Sequence, residues 1–150
     1  MIYQCCDERR RLAVADHPML NGIDYLEVLD REAPPGALRQ RTLLVRFIKA
    51  APALLPENFE ITGGARITGI EVTAATRADD AAGLAAEMPA EAPFIAALPD
   101  PEEVIALRTS SSGDYSLYRL HLVASSASLA PPPACTSWTS RGRSPTVTKC

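Results

Sequence analysis

Short β-type runs separated by breaks at Pro or Gly are the feature of residues 1–125 that most limits the possible folds. The clearest run is TLLVRFIK at 42–49. Alternation assigns its two faces as Leu43, Val45 and Phe47 on one side, and Leu44, Arg46 and Ile48 on the other. Apolar groups on both faces are typical of a strand in the middle of a sheet. We therefore expect a central strand here.

Five further runs have strand character. Ile23 to Leu29 and Val104 to Thr109 are short and apolar, and Asn58 to Thr62 precedes the glycine pair Gly63–Gly64. Since glycine adopts the positive φ values of tight turns, we predict a hairpin between Asn58–Thr62 and Arg66–Thr73. The last run, Tyr115 to Ala124, alternates as a half-buried strand, with Tyr118, Leu120 and Leu122 on one face and Arg119 and His121 on the other.

Helical signals are few. The segment Asp7 to Asp16 combines acids at its start with good helix formers, and Pro18 follows its end. On this short N-terminal helix we expect Leu12 and Ala15 to face inward, with Ala13 or Asp16 at the margin. Residues 76–100, rich in Ala, Pro and acids, suggest a long connection with a helical turn near Phe94.

Five or six short strands, one helix and no βα repeat predict a mainly β protein, specifically an antiparallel immunoglobulin-like β-sandwich with a short N-terminal helix. An α+β layer is the alternative. We expect a single core, which includes Leu43, Val45, Phe47, Ile61, Ile70, Leu120 and Leu122.

Composition divides the chain near residue 125. All 18 acidic residues precede it, with 12 Arg and Lys, so residues 1–125 carry a net charge of −6. Such a balance disfavours nucleic acid as the main partner. Residues 126–150 are rich in Ser, Thr and Pro and lack periodic apolar positions, which predicts a disordered tail. No apolar run approaches the ~18 residues of a membrane span, and the charged N-terminus does not resemble a secretory signal, so we expect cytoplasmic synthesis.

Motifs for nucleotide and metal sites are absent from the sequence. GGARITG at 63–69 fits neither a phosphate-binding loop nor a dinucleotide fingerprint. Cys5, Cys6 and His17 lack the spacing of metal ligands, and Cys135 and Cys150 complete no Cys-x-x-Cys pair. We expect free thiols and no cofactor.

Catalytic constellations are equally weak. Ser110 to Ser112 with His121 and Asp114 contain the residue types of a triad but no nucleophile-elbow context. Glu102 and Glu103 are more typical of a solvated face than of an acid–base pair. The sequence thus predicts a protein that is not an enzyme, with no catalytic, cofactor-binding or metal-binding residues. Arg9, Arg10 and Arg11 form one basic cluster, interpreted either as a solvated helix face or as a contact for an acidic partner.

Longer segments carry a family resemblance. They are IYQCCDERRR at 2–11, NGIDYLEVLD at 21–30, APPG at 33–36, RQRTLLVRF at 39–47, LPENFEITGGARITGIEV at 55–72 and ALPDPEEVIALRTSSSGDYSLYRLHLV at 97–123. In order and spacing they resemble the N-terminal region, about residues 1–125, of the baseplate assembly proteins of contractile phage-tail-like particles. The resemblance implies a structural role at the baseplate of a phage tail, a bacteriocin-like tail or an injection particle. Its implied partners are other baseplate and tail subunits, with oligomers formed only in the context of a longer protein.

After LAPPP at 129–133 the sequence departs from that family, and a frameshift or truncation is the expectation for the tail. Two other functional hypotheses remain open at this stage. A stand-alone ligand- or carbohydrate-binding sandwich would need exposed aromatic side chains around a groove. A tail-associated hydrolase would need the nucleophile or paired-carboxylate motif that the sequence lacks.

Overall fold

The computed structural model describes residues 2–4, 8–124, 137–141 and 144–145, with side chains described within 8–124. Its strands are β1 (Ile2–Gln4), β2 (Ile23–Val28), β3 (Thr42–Phe47), β4 (Phe59–Gly63), β5 (Val72–Arg77), β6 (Val104–Thr109), β7 (Tyr118–Leu122), β8 (Ser137–Arg141) and β9 (Ser144–Pro145). Its α-helices are α1 (Glu8–Asp16), α2 (Ala81–Glu87) and α3 (Ala92–Ala96), and 3-10 turns occupy Pro56–Asn58 and Pro101–Glu103.

The strands form two antiparallel sheets. The large sheet has the order β1-β2-β3-β6-β5, and the small sheet has the order β4-β7-β8-β9. In the large sheet Val45 of β3 lies opposite Leu26 of β2 on one side and Ile105 of β6 on the other. The predicted central position of this strand is therefore confirmed.

One apolar core lies between the two sheets. Phe47 and Leu107 of the large sheet contribute to it together with Phe59, Leu120 and Leu122 of the small sheet. Leu43 and Ile61 pack against the same cluster, so six of the seven predicted core residues share one core, as expected from alternation. Ile70 is buried but lies outside this cluster.

A second core covers the opposite face of the large sheet. Leu44 of β3 and Ala106 of β6 pack there against Leu84 and Met88 of the α2 segment and Ile95 of α3. The expectation of a single core is thus wrong, because the large sheet buries apolar side chains on both faces. The helical turn predicted near Phe94 is α3, whereas α2 was not predicted. Asp80 begins α2 by accepting a hydrogen bond from the Gly83 N–H at 3.0 Å.

A buried polar contact attaches the helical layer to the sheet. Glu91, which precedes α3, accepts hydrogen bonds from Thr42 Oγ1 at 3.0 Å and from Arg108 Nη2 at 2.8 Å. Arg108 also donates to Thr42 Oγ1 at 2.8 Å. Each buried charge is therefore paired and hydrogen-bonded, as burial requires.

These layers confirm a mainly β protein with antiparallel sheets and a short N-terminal helix. The immunoglobulin-like topology is not confirmed. Helices α2 and α3 form a helical layer on the large sheet, as expected for the α+β alternative. The strands predicted at 23–29, 42–49, 104–109 and 115–124 are confirmed as β2, β3, β6 and β7.

The predicted hairpin at Gly63–Gly64 is wrong. β4 pairs with β7, while β5 begins at Val72 and pairs with β6 in the other sheet. Both glycines do have positive φ, 106° and 86°, but their conformation brings the backbone against Leu117 and Ile67. The chain therefore passes from the small sheet to the large sheet at this point.

The tail prediction for residues 126–150 falls mostly outside the described residues. Within that segment the structure gives β8, paired with β7, and β9, paired with β8. Disorder of the remainder stays a prediction.

Candidate assembly surface

Helix α1 packs only lightly against its own domain. None of its nine residues is buried, and Leu12 is 52% exposed. The expectation that Leu12 and Ala15 face inward is wrong, since both are exposed, as are Ala13 and Asp16. The domain instead contacts the helix along the face that carries Arg11 and Val14, which are both half-buried.

The Arg11–Asp24 pair fixes α1 to the start of β2. Arg11 Nε lies 2.6 Å from Asp24 Oδ1, and Arg11 Nη2 lies 3.1 Å from Oδ2. This two-point geometry is the stronger form of an ion pair. Hydrogen bonding to Asp24, and then its charge, raise the pKa of Arg11 above its ordinary value.

The turn after α1 is also held by polar contacts. His17 Nδ1 accepts hydrogen bonds from the Met19 and Leu20 N–H groups, both at 3.1 Å. Lys49 Nζ donates to the carbonyl of His17 and, at 3.0 Å, to that of Leu20. Met19 extends from this ordered turn with 85% of its surface exposed.

Together these residues form a surface, which we call the α1 surface, of Leu12, Met19 and Leu20 with Arg9 and Arg10. Leu20 is 37% exposed, and both arginines are exposed. A nine-residue helix is marginally stable in isolation, so its usual source of stability is an apolar face packed on a neighbour. Here Val14 is half-buried, whereas Leu12, Met19 and Leu20 leave apolar surface exposed to solvent.

The residues considered as a catalytic triad make other contacts. His121 Nε2 lies 3.1 Å from Thr62 Oγ1. Asp114 accepts hydrogen bonds from the N–H groups of Arg66 at 2.6 Å and Ile67 at 3.0 Å. Ser110 Oγ accepts the Glu71 N–H at 3.0 Å. The Asp114 contacts join loops 64–69 and 110–117, the His121 contact joins β7 to β4, and the Ser110 contact joins the end of β6 to the start of β5.

The other sequence candidates are similarly dispersed. Glu103 pairs with Arg46, while its neighbour Glu102 is exposed in the 3-10 turn. Cys5, Cys6, Cys135 and Cys150 lie outside the described residues. Across the part of the chain that is described, no group of three His, Cys, Asp or Glu side chains could hold a metal ion. None of the described helices has the length and apolar character needed to cross a membrane.

A comparison with known protein families gave a match that covers most of the chain. Residues 1–140 match the family described as phage baseplate assembly protein, N-terminal domain. The chain belongs to this family. No curated protein and no solved structure gave a significant match. Membership in the baseplate assembly family gives the chain a structural role in the phage baseplate, with other tail and baseplate proteins as partners.

The candidate assembly surface of this baseplate domain was only partly visible in the sequence. The Arg9–Arg11 cluster was recognised, but Arg11 belongs to an internal pair, whereas Arg9 and Arg10 belong to the surface. Met19 and Leu20 were missed. The available signal was their position directly after Pro18, where two large apolar residues interrupt a polar segment.

Proposed function

We propose that this chain is a structural subunit of the baseplate of a contractile phage-tail-like or injection particle, where it mediates assembly with other baseplate and tail subunits. The baseplate role rests on the family. The observation that supports assembly contacts is α1, a helix with no buried residue and with Leu12 and Met19 exposed. Helices of this kind are stabilised by packing, and the packing partner here is another subunit.

Proteins are the expected partners, and nucleic acid and membranes are not. The net charge of −6 on residues 1–125 opposes phosphate binding. The chain is synthesised in the cytoplasm and then joins the baseplate. A stable protein interface buries about 1,200–2,000 Å² in total, and the α1 surface supplies only part of it. Purified alone, the chain is therefore a monomer or a weak dimer at micromolar concentration, with full oligomers formed in the longer protein context.

Labelling of intact particles tests this proposal. The full chain carries an epitope tag in a producing host, and purified particles are imaged by negative-stain electron microscopy with a gold-labelled antibody. We expect label at one end of the tube, on particles whose sheaths are seen both extended and contracted. Particles that purify without the chain, or label spread along the tube, would contradict the proposal.

A variant pair tests the surface itself. Leu12→Asp with Met19→Asp introduces charge into the α1 surface without opening a core, since neither side chain is buried. Leu38→Asp is the matched control, because Leu38 is 49% exposed in the loop between β2 and β3. We expect incorporation into particles to fall at least about fivefold for the double variant and to be unchanged for the control. Equal incorporation of both variants would exclude the α1 surface as the contact.

A further inference from the structure

Asn21 ties the turn after α1 to the segment that follows β3. Its Nδ2 donates to the Ala50 carbonyl at 2.9 Å and, at 3.4 Å, to the Lys49 carbonyl. Its Oδ1 accepts the Lys49 N–H at 3.1 Å. The side chain therefore donates and accepts at the same point, which is the capacity of an amide and not of a carboxylate.

The residue after Asn21 is a glycine whose nitrogen lies against the same amide. The Gly22 N–H donates to Asn21 Oδ1 at 2.9 Å, so the side chain is folded back over the next peptide nitrogen. Gly22 has no Cβ to hinder the approach of that nitrogen to Cγ of Asn21. A nucleophile and an electrophile thus lie close together, which lowers the entropy cost of joining them. The second asparagine of the sequence, Asn58, precedes Phe59 and is 1% exposed, whereas Asn21 is half-buried in a surface turn.

We propose that Asn21 is a site of deamidation and that its conversion releases the turn after α1 from the segment after β3. Hydroxide removes the Gly22 amide proton, and the nitrogen then forms a bond to Cγ of Asn21. The Cγ–Nδ2 bond breaks, and the amine takes a proton from water and leaves as ammonia. Water opens the resulting succinimide ring at either carbonyl, which gives aspartate or isoaspartate. The net change converts an amide and water into a carboxylate and ammonium, with no oxidant or reductant.

The carboxylate product cannot make the contacts of the amide. Its oxygens only accept hydrogen bonds, and one of them faces the carbonyls of Lys49 and Ala50, which also only accept. Isoaspartate also adds a carbon to the main chain just before Gly22, whose carbonyl accepts the Ile48 N–H at 2.9 Å. Both products weaken the attachment of the turn that carries Met19, and so disturb the α1 surface.

Peptide mapping of the full chain by mass spectrometry tests the site. Because the folded chain holds Asn21 by hydrogen bonds, the reaction proceeds through local opening, which costs less free energy in a surface turn than in a core. In mildly alkaline buffer, we expect aspartate and isoaspartate to accumulate at Asn21 at least about tenfold faster than at Asn58, and faster still in urea. A folded chain in which Asn21 converts no faster than Asn58 would overturn the proposal.

Asn21→Asp reproduces the aspartate product and tests its effect on the turn. We expect its melting temperature to lie about 4 °C below that of the wild type at neutral pH, since a donor is lost and a charge is introduced beside two carbonyls. The difference should shrink below about pH 4, where a protonated carboxyl group can donate again. Gln40→Glu makes the same amide-to-acid change at an exposed position and should leave the melting temperature unchanged. Equal melting temperatures for Asn21→Asp and the wild type, or equal losses in both variants, would overturn the release of the turn.

Discussion

Glu91 is an acidic side chain that the domain almost completely encloses. Its side chain is 2% exposed and that of Arg108 is 12% exposed, with 2.8 Å between their charged groups. Thr42 Oγ1 completes the contact. Removing one partner from such a pair leaves the other charge buried without compensation, which is far more costly than losing a surface ion pair.

We therefore expect Glu91→Ala to lower the free energy of unfolding by about 3 kcal/mol. Glu87→Ala removes an exposed carboxylate from the neighbouring α2 and should change it by less than about 0.5 kcal/mol. Urea unfolding monitored by circular dichroism measures both values. Similar losses in the two variants would show that the buried contact does not hold the helical layer.

Asp114 gives a pH-dependent contribution to the loop contacts. Its pKa lies well below the usual range, because Ser116 and then the backbone N–H of Arg66 donate hydrogen bonds to the carboxylate. A depressed folded-state pKa means that the contribution is fully present above the unfolded-state pKa of about 3.9 and is lost as pH falls through the folded-state value.

Asp114→Asn should therefore lower the melting temperature at pH 7, and the difference from the wild type should shrink progressively below about pH 4. Thermal melts between about pH 7 and pH 2.5 measure this difference. Tyr118→Phe, which removes one donor to the same carboxylate, is expected to retain part of the pH dependence. A difference that stays constant down to the lowest pH would contradict the role of the charged form.

At the scale of elements, the segment from β4 to β5 depends on close backbone approaches. A Cβ at Gly64 would lie 1.9 Å from the Ile67 carbonyl oxygen, whereas a Cβ at Gly69 would meet nothing within 4 Å. Both glycines have positive φ, 86° and 68°. Alanine substitutions at these two glycines therefore separate the free-energy cost of a left-handed backbone from that of a steric clash.

We expect Gly69→Ala to destabilise the protein by about 1 kcal/mol, the usual cost of positive φ for alanine. Gly64→Ala adds a clash with backbone and should cost at least about 2 kcal/mol more. Chemical denaturation of the two variants gives the comparison. Equal destabilisation would mean that the segment relaxes freely around position 64.

Helices α1 and α2 differ in how they are stabilised. Leu84 of α2 is fully buried in the second core, while Leu12 of α1 is half-exposed. Leu84→Ala should cost about 2–5 kcal/mol, whereas Leu12→Ala should stay within about 0.5 kcal/mol. Urea titrations distinguish the two. A large loss for Leu12→Ala would show that α1 packs on its own domain.

At the scale of the whole molecule, composition and strand pairing give opposite predictions for the effect of removing residues 126–150. The composition of the segment predicts that truncation after Ser125 leaves thermal stability nearly unchanged, because few apolar groups are lost. The antiparallel pairing of β8 with β7 from Tyr118 to His121 predicts instead a loss of several degrees, about 1 kcal/mol for each 4–8 °C. Calorimetry of the full and truncated chains decides between them.

The strands β2, β3, β6 and β7, their faces and the position of α1 were determined by the sequence alone. Local periodicity specifies which side chains share a face, so Val45 and Phe47, or Leu120 and Leu122, follow from alternation. The sequence analysis predicted no catalytic, cofactor-binding or metal-binding residues. It also identified the basic cluster at Arg9–Arg11. These features depend on residues close together along the chain.

Only the tertiary structure decided which strands pair and which elements cover each face of a sheet. Phe59 of β4 lies opposite Leu122 of β7 and not in a local hairpin, and α2 and α3 cover the second face of the large sheet. Helix α1 turns Arg11 and Val14 toward the domain and leaves Leu12 exposed, with Arg11 bound to Asp24. Alternation leaves such choices open, since the burial that rewards one pairing over another exists only after distant segments have met.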